Sequence, residues 1–400
     1  MEGDSKSIIY KINLDSCLNQ SVIVKLTKSL YSLYYVANYN KQLLNFNDTK
    51  TGIYRSVVFS FNDKKVLSFS PPKSMPVNAF IDKYPVIDTK ILITDAIEGF
   101  MVSLFYDDNI LKWEIATKGA VGGKYGYYGN IIKNKYTSNL ETPSFYKMFL
   151  ESLRANDNEE LNDLAFLAYL PKNACYTFIV HHTKNIIMLP VKECCAYLVS
   201  VYALNNNIIK CIPQEEYEAW QPIRNLSGII KFPNKYEKVS NYNELSNYYS
   251  EGANGVMVTN IETGERAKIL SNKYEQLKTS IKIPANIQYL YFCLRRMNKV
   301  AEYIEECPKH KKTFYNIRNE YEEFITDIHD LYVNIYALGQ YSKEINKYHA
   351  TWCKKIHEDM FVPFINKMIK TTITRKIVRD YFDNFEPRQL LYIMNHDFRV

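Results

Sequence analysis

Beyond Pro284 the chain almost stops using glycine: only Gly339 remains, and the apolar spacing turns helical. Apolar residues three and four places apart share one helix face, whereas strict alternation marks a strand half buried in a sheet. In 311–338, Phe314, Ile317, Tyr321, Phe324, Ile325, Ile328, Leu331 and Ile335 keep the helical spacing, and Glu320, Glu322 and Glu323 fall off that stripe. The pattern predicts helices over 286–306, 311–338, 341–357, 358–371, 374–383 and 387–394. A boundary near 280–286 then separates a first domain, 1–283, from an all-helical second one, 284–400.

The first domain reads as short β-rich runs broken by turns. SVVFSF (56–61), KVLSFS (65–70), ILITD (91–95), MVSLFY (101–106), KWEIATKG (112–119), CYTFIVHH (175–182), AYLVSVYAL (196–204) and GVMVTNI (255–261) are dominated by β-branched and aromatic residues, several in alternation. PSFYKMFLESLRAN (143–156) is a helix candidate, with a Thr-Pro start and a stripe of Phe145, Met148, Phe149 and Leu153. The segment 213–250 is polar and weakly patterned. The fold class is therefore α+β, in two domains.

No run approaches the eighteen or so uninterrupted apolar residues that a membrane helix needs, so no membrane is expected. The first residues, MEGDSKSIIYKINLDSC, mix charge and polarity and do not read as a secretory signal. The eight cysteines form no CxxC pair, which points to free thiols in a reducing compartment, the cytoplasm, rather than to a zinc cluster. A net charge of +7 suits a phosphate-bearing partner without specifying one. The 34 tyrosines fit the bias of an AT-rich coding sequence.

Several segments together resemble the phage-type RNA ligases, which are covalent nucleotidyltransferases, and the ligase-like proteins of large DNA viruses. Arg55 precedes a strand in YRSVVF; VLSFSPPKS (66–74) is similar to the family's basic-proline segment and carries Lys73. TDAIEG (94–99) lies where the family has its lysine–any–acid–glycine motif, and Lys118 lies in the matching lysine–glycine step of WEIATKGAVGG. YTFIVHHTKNIIM (176–188) resembles the nucleoside-binding strands, and GVMVTNIETGERAKILSNKYEQLK (255–278) the last two motifs. The resemblance implies a nucleotidyltransferase domain of ATP-grasp-like antiparallel sheets, followed by an all-α domain that aids RNA binding. It also implies ATP and Mg2+ as cofactors. It casts Arg55, Lys118, Tyr176, Phe178, Asn254 and Lys268 as nucleotide-binding, with an aromatic stacked on the base, and Lys73 as RNA-binding.

Such enzymes move AMP from ATP onto a lysine of depressed pKa and then onto RNA. Here that position is Ala96, which has no lone pair to attack phosphorus, although Glu98 and Gly99 keep the acid and the turn. The glutamate expected in the fourth motif is Asn254, the second cation of the last motif is Leu270, and a glutamate of the nucleoside strand is Thr177. An introduced alanine would account for Ala96 alone; loss of the pattern accounts for Asn254 and Leu270 as well. Lys90, Lys118 and Lys268 are the remaining amines that could stand in, the first about 20 Å upstream if that stretch is extended. The expectation is an RNA-ligase-like pseudoenzyme that binds RNA and leaves room for ATP without self-adenylylation, and that holds no metal site of its own. The alternatives are an RNA-repair ligase carrying a substituted lysine, and a structural or virion interaction protein.

The second domain adds Lys354, Lys355, Lys367, Lys370, Arg375, Lys376 and Arg379 among Trp352, Tyr381 and Phe382. Cations interleaved with aromatics suit looped RNA, and so are Lys354, Lys355, Arg375, Lys376 and Arg379 cast; a solvated helix face would use the same residues, and Glu358, Asp359 and Asp380 interrupt the patch. His181 and His182 are adjacent on a strand, so they face opposite ways and cannot share a metal. GAVGGKYGYYG (119–129) lacks the order of a phosphate loop and reads as a flexible loop beside the cleft. In ECPKHKK (306–312), Pro308 marks a helix end.

Overall fold

The computed structural model describes residues 8–15, 21–46, 52–124, 143–280 except 186, 188, 190, 227 and 249, 287–340 except 307, 346–365, and 372–395. The outer ends of the helices expected at 286–306, 341–357 and 358–371, Lys367, Lys370, the later half of the glycine-rich run and the boundary at 281–286 lie outside these residues. The chain divides into two compact units, one of Met1–Lys124 with Pro143–Lys282, the other containing Ile283–Val400.

The first unit is built on three sheets. The largest runs in the order β1 (Ile9–Lys11), β11 (Ile208–Ile212), β10 (Cys195–Asn205), β9 (Ala174–His181), β7 (Phe100–Asp107), β8 (Lys112–Ala116), with β12 (Ile230–Lys231) added beside β10. Its pairs are antiparallel except β10–β12. A four-stranded antiparallel sheet follows the chain: β2 (Val22–Lys28), β3 (Leu33–Tyr39), β4 (Val57–Ser60) and β5 (Val66–Phe69). A three-stranded antiparallel sheet has β13 (Ala253–Asn260) between β6 (Ile91–Ile97) and β14 (Arg266–Leu270). These are the alternating β-branched runs of the sequence, and their pairing satisfies the backbone groups they bury.

Two apolar layers hold the sheets. Tyr34, Val36, Phe59 and Phe69 of the four-stranded sheet pack on Phe105, Cys175 and Tyr202 of the large one. On the three-stranded sheet, Val256, Val258 and Ala267 bury one face against Phe80, Tyr242 and Leu245, which leaves their alternating neighbours on the other face. The β6–β7 turn is made by Gly99, whose φ is +155°; a Cβ there would sit 2.4 Å from the Val180 carbonyl oxygen. The 143–156 segment forms the helix Phe145–Ser152, entered through Ser144, whose side chain accepts from Lys147 N.

Every described element of the second unit is helical, so the α+β plan expected from the sequence is the architecture observed. Lys311–Tyr332 continues into a π-helical turn, Val333–Ala337, and its stripe from Phe314 to Ile328 is buried with Cys353, Ile356, Val378 and Phe382. Three local expectations are corrected. The helix expected over 286–306 breaks into Ile287–Arg296 and Val300–Glu306 where Asn298 takes φ +56°. The weakly patterned 213–250 holds short elements, among them the helix Gln214–Ala219 and the turn Tyr242–Asn247. Glu320 is buried (7% exposed) rather than off the core stripe, with Gln288 Nε2 donating to it at 3.2 Å.

Burial pushes the Glu320 carboxyl up to about 7. The folded chain therefore holds a proton there that the unfolded chain releases in the ordinary carboxylate range. This stability is complete below that range and is lost as pH rises through about 7. Glu320→Gln is expected to remove the loss and to raise stability at pH 8 by on the order of 1–3 kcal/mol, with little gain at pH 4. Urea unfolding of the full chain at the two pH values checks this; equal shifts at both would refute it.

Candidate functional site

A cavity of about 700 Å³ opens between the three-stranded sheet and the floor of the large sheet, within the ordinary range for small-ligand sites. Strand alternation selects its lining: Thr94 and Ala96 from β6, Met257 and Thr259 from β13, Arg266 and Lys268 from β14, Thr177 and Ile179 from β9, Ser200 and Tyr202 from β10. Two ladder registers fix the wall, since Met257 pairs with Lys268 on one side and with Thr94 on the other. Ala96, 4% exposed, lies on that wall.

Five cations line the cavity: Arg55, Lys73, Lys118, Arg266 and Lys268. Among the described residues none of them forms an ion pair. Arg266 spends its guanidinium on carbonyls, donating from Nε to Pro72 O at 2.7 Å. Lys73 Nζ donates to Ser74 O at 3.2 Å. Lys118 Nζ donates to Tyr39 OH at 3.1 Å and lies 4.7 Å from that ring's centre. The two acids of the lining are already occupied. Asp95 accepts from Asn234 N (3.1 Å), Asn234 Nδ2 (2.7 Å) and Tyr236 OH (2.6 Å), and Glu215 is paired with Lys235.

Burial, and then mutual repulsion, weakens the hold of these groups on their protons. Lys268 is pushed down to about 8 by burial and by Arg55, Arg266 and Lys73; Arg266 is pushed down to about 9 by burial and Arg55. Arg55 and Lys73 are also lowered, burial coming first in each. Thr177 (0% exposed) and Ser200 (9%) face each other across β9 and β10, and their hydroxyl oxygens have no hydrogen-bond partner. Such buried polar atoms are uncommon in folded proteins.

The site residues read from the sequence divide. Arg55, Lys73, Ala96, Lys118 and Lys268 are brought together on the cavity. Tyr176 and Phe178 are not: alternation turns them to the opposite face of β9, where Tyr176 packs on Trp113 and Phe178 on Phe149. The base-stacking role expected for them is corrected accordingly, since it is Thr177 and Ile179 that face the cavity. Glu98 sits just past the wall with both carboxylate oxygens engaged, one accepting from Tyr274 OH at 2.6 Å and the other from Leu189 N at 2.8 Å. Asn254 is buried outside the lining, and its amide oxygen has no partner. Lys90 pairs with Glu262 at 3.0 Å and stays off the cavity.

Among the described residues there is no cluster of three or more His, Cys, Asp or Glu placed to hold a metal. The cations fit a phosphate chain. His182 Nε2 bonds Glu151 at 2.6 Å while the His181 ring lies against Tyr197, so the pair faces opposite ways. The described cysteines Cys175, Cys194, Cys195, Cys211, Cys293 and Cys353 are free thiols, and no described helix is long and apolar enough to cross a membrane.

In the helical unit, Arg375 pairs with Asp330 (3.4 Å), Arg379 with Glu322 (2.5 Å) and Lys354 with Glu358 (3.7 Å); Lys355 lies over Trp352 at 4.4 Å, and Lys376 is exposed. Sequence reasoning missed Arg266, Ser200 and Tyr39 as cavity residues. Arg266 carried a signal: it stands two residues before Lys268 on an alternating strand and so shares its face.

No protein-family model and no curated protein matches the chain. Among solved structures it is similar to a Naegleria gruberi RNA ligase variant with ATP and Mn, at 11% identity over 53% of this chain and 58% of that one (TM-score 0.35). It therefore spans less than two thirds of that protein's length. A putative ATP-dependent DNA ligase from Aquifex aeolicus is similar at 13% identity over 74% of this chain and 72% of that one (TM-score 0.40). A further Naegleria gruberi RNA ligase variant with ATP and Mn is similar at 12% identity over 68% and 84% (TM-score 0.37).

Because burial and the neighbouring Arg55, Arg266 and Lys73 push Lys268 down to about 8 against the opposing charge of Glu98, an anion meets a more fully charged cluster below that pH and has to draw in a proton above it. Inorganic tripolyphosphate is expected to raise the melting temperature more at pH 7 than at pH 9. Equal shifts at both would remove Lys268 from the site.

Proposed function

We propose that this chain is a ligase-like, RNA-binding protein that does not carry AMP on a lysine. One observation supports the reading above others: five cations that form no ion pair among the described residues gather around a cavity whose wall bears Ala96, at the position where the family resemblance would put the attacking amine. A set of unpaired buried cations is unfavourable on its own and favourable once a polyanion fills it. Methyl in place of amine removes the covalent step while leaving the phosphate-binding charge in place. Glu98, tied to Tyr274 and Leu189, serves the packing of its own surroundings. ATP held non-covalently is compatible with the same cations. In the helical unit, Lys355 and Lys376, which form no ion pair among the described residues, supply further phosphate contacts.

Incubation with radiolabelled ATP and Mg2+ is expected to leave the chain unlabelled; a labelled band surviving denaturation would make it a working ligase instead. RNA binding is expected to weaken with salt at a log–log slope of about −3.5 or steeper, from about −0.7 for each phosphate that the five cavity cations neutralise on a single strand. Lys118→Gln is expected to reduce that slope by about 0.7, affecting all RNA sequences alike. A slope of zero would favour a protein–protein role.

A further inference from the structure

We propose that the cavity receives the 5′-triphosphate end of an RNA strand, so that the chain selects RNA by its terminus. The inference rests on the RNA-binding reading and narrows it. Cations that follow the interior of a strand are spread along its path, one phosphate apart. Here they converge on a single concave lining. Arg55, Arg266 and Lys73 each depress Lys268, and Arg55, Arg266 and Lys118 each depress Lys73, so one compact field joins all five. A concave cluster suits a chain end.

Charge counting points to a long phosphate chain at that end. The five lining cations face two acids of the lining that are already satisfied, Asp95 by Asn234 and Tyr236 and Glu215 by Lys235, and one acid just past the wall, Glu98, which is held by Tyr274 and Leu189 and offsets part of the charge at Lys268. A terminal monophosphate carries about two negative charges, and each further phosphoryl adds about one. A triphosphate comes closest to neutralising the cluster, and a 5′-hydroxyl brings nothing to it. The hydroxyls of Thr177 and Ser200 add two donors to the same lining. Both are at least nine-tenths buried, both line the cavity, and neither has a partner. Phosphate oxygens would accept from them and from the cations together. With Lys268 charged below about pH 8, the field is complete at neutral pH.

The test uses the full chain and three short RNAs of one sequence, ending in 5′-triphosphate, 5′-monophosphate or 5′-hydroxyl and labelled at the 3′ end. Anisotropy titration at low salt and pH 7 is expected to rank them in that order, with the triphosphate at least about tenfold tighter than the hydroxyl form. Inorganic tripolyphosphate is expected to erase the difference by competition, a measurement that needs no variant. Lys268→Gln, checked for parental melting behaviour, is expected to bring the three affinities together. Equal affinities for the three RNAs in the parent protein would overturn the end-recognition proposal while leaving RNA binding intact. Absence of binding to all three would overturn both. Displacement of the triphosphate RNA by ATP at concentrations well below those needed with the unlabelled RNA would assign the site to free nucleotide and overturn the RNA-end assignment.

Discussion

The register in which β13 pairs with β6 on one side and β14 on the other decides what the cavity contains, because side chains on a strand change face with every residue. With Met257 opposite both Thr94 and Lys268, Lys268 and Arg266 turn inward while Ala267 and Ile269 join the apolar layer under Phe80. A slip of one residue would send both cations into that apolar layer and expose its alanine and isoleucine to the cavity. The register is held by burial: Val256 and Val258 are fully enclosed on the outer face, and a one-residue slip of β13 would turn both toward the cavity.

That apolar grip has to offset a real electrostatic cost. Gathering Arg55, Lys73, Lys118, Arg266 and Lys268 on one buried lining, with Glu98 opposing their charge at Lys268, is unfavourable to the fold, and burial followed by mutual repulsion lowers the hold of Lys268 and Arg266 on their protons. The carbonyls of Pro71 and Pro72 and the Tyr39 ring soften the cost without cancelling the charge. Ala96 belongs to the same lining: a small buried side chain on the cavity wall adds neither charge nor hydrogen-bonding capacity to the cluster.

The helical unit shows how far pattern reading reaches and where it stops. The stripe from Phe314 to Ile335 is legible because burial of one face leaves a period in the sequence. Glu320 is not legible, since its burial depends on Gln288 arriving from another helix. The cations of this unit likewise look like one patch in sequence, yet Arg375, Arg379 and Lys354 are drawn to Asp330, Glu322 and Glu358, partners that only helix packing or one turn of helix brings near.

The sequence by itself determined the two-part α+β plan and the candidacy of Arg55, Lys73, Ala96, Lys118 and Lys268, because periodicity and residue identity are local properties. It also contained the means to add Arg266, through its spacing from Lys268. Tertiary structure alone decided that Tyr176 and Phe178 belong to the core, that Glu98 is bound by Tyr274 and Leu189, and that Thr177 and Ser200 face a cavity with nothing to bond. The reason is geometric: which face of a strand is covered depends on what packs against it, and those partners come from segments up to 176 residues away.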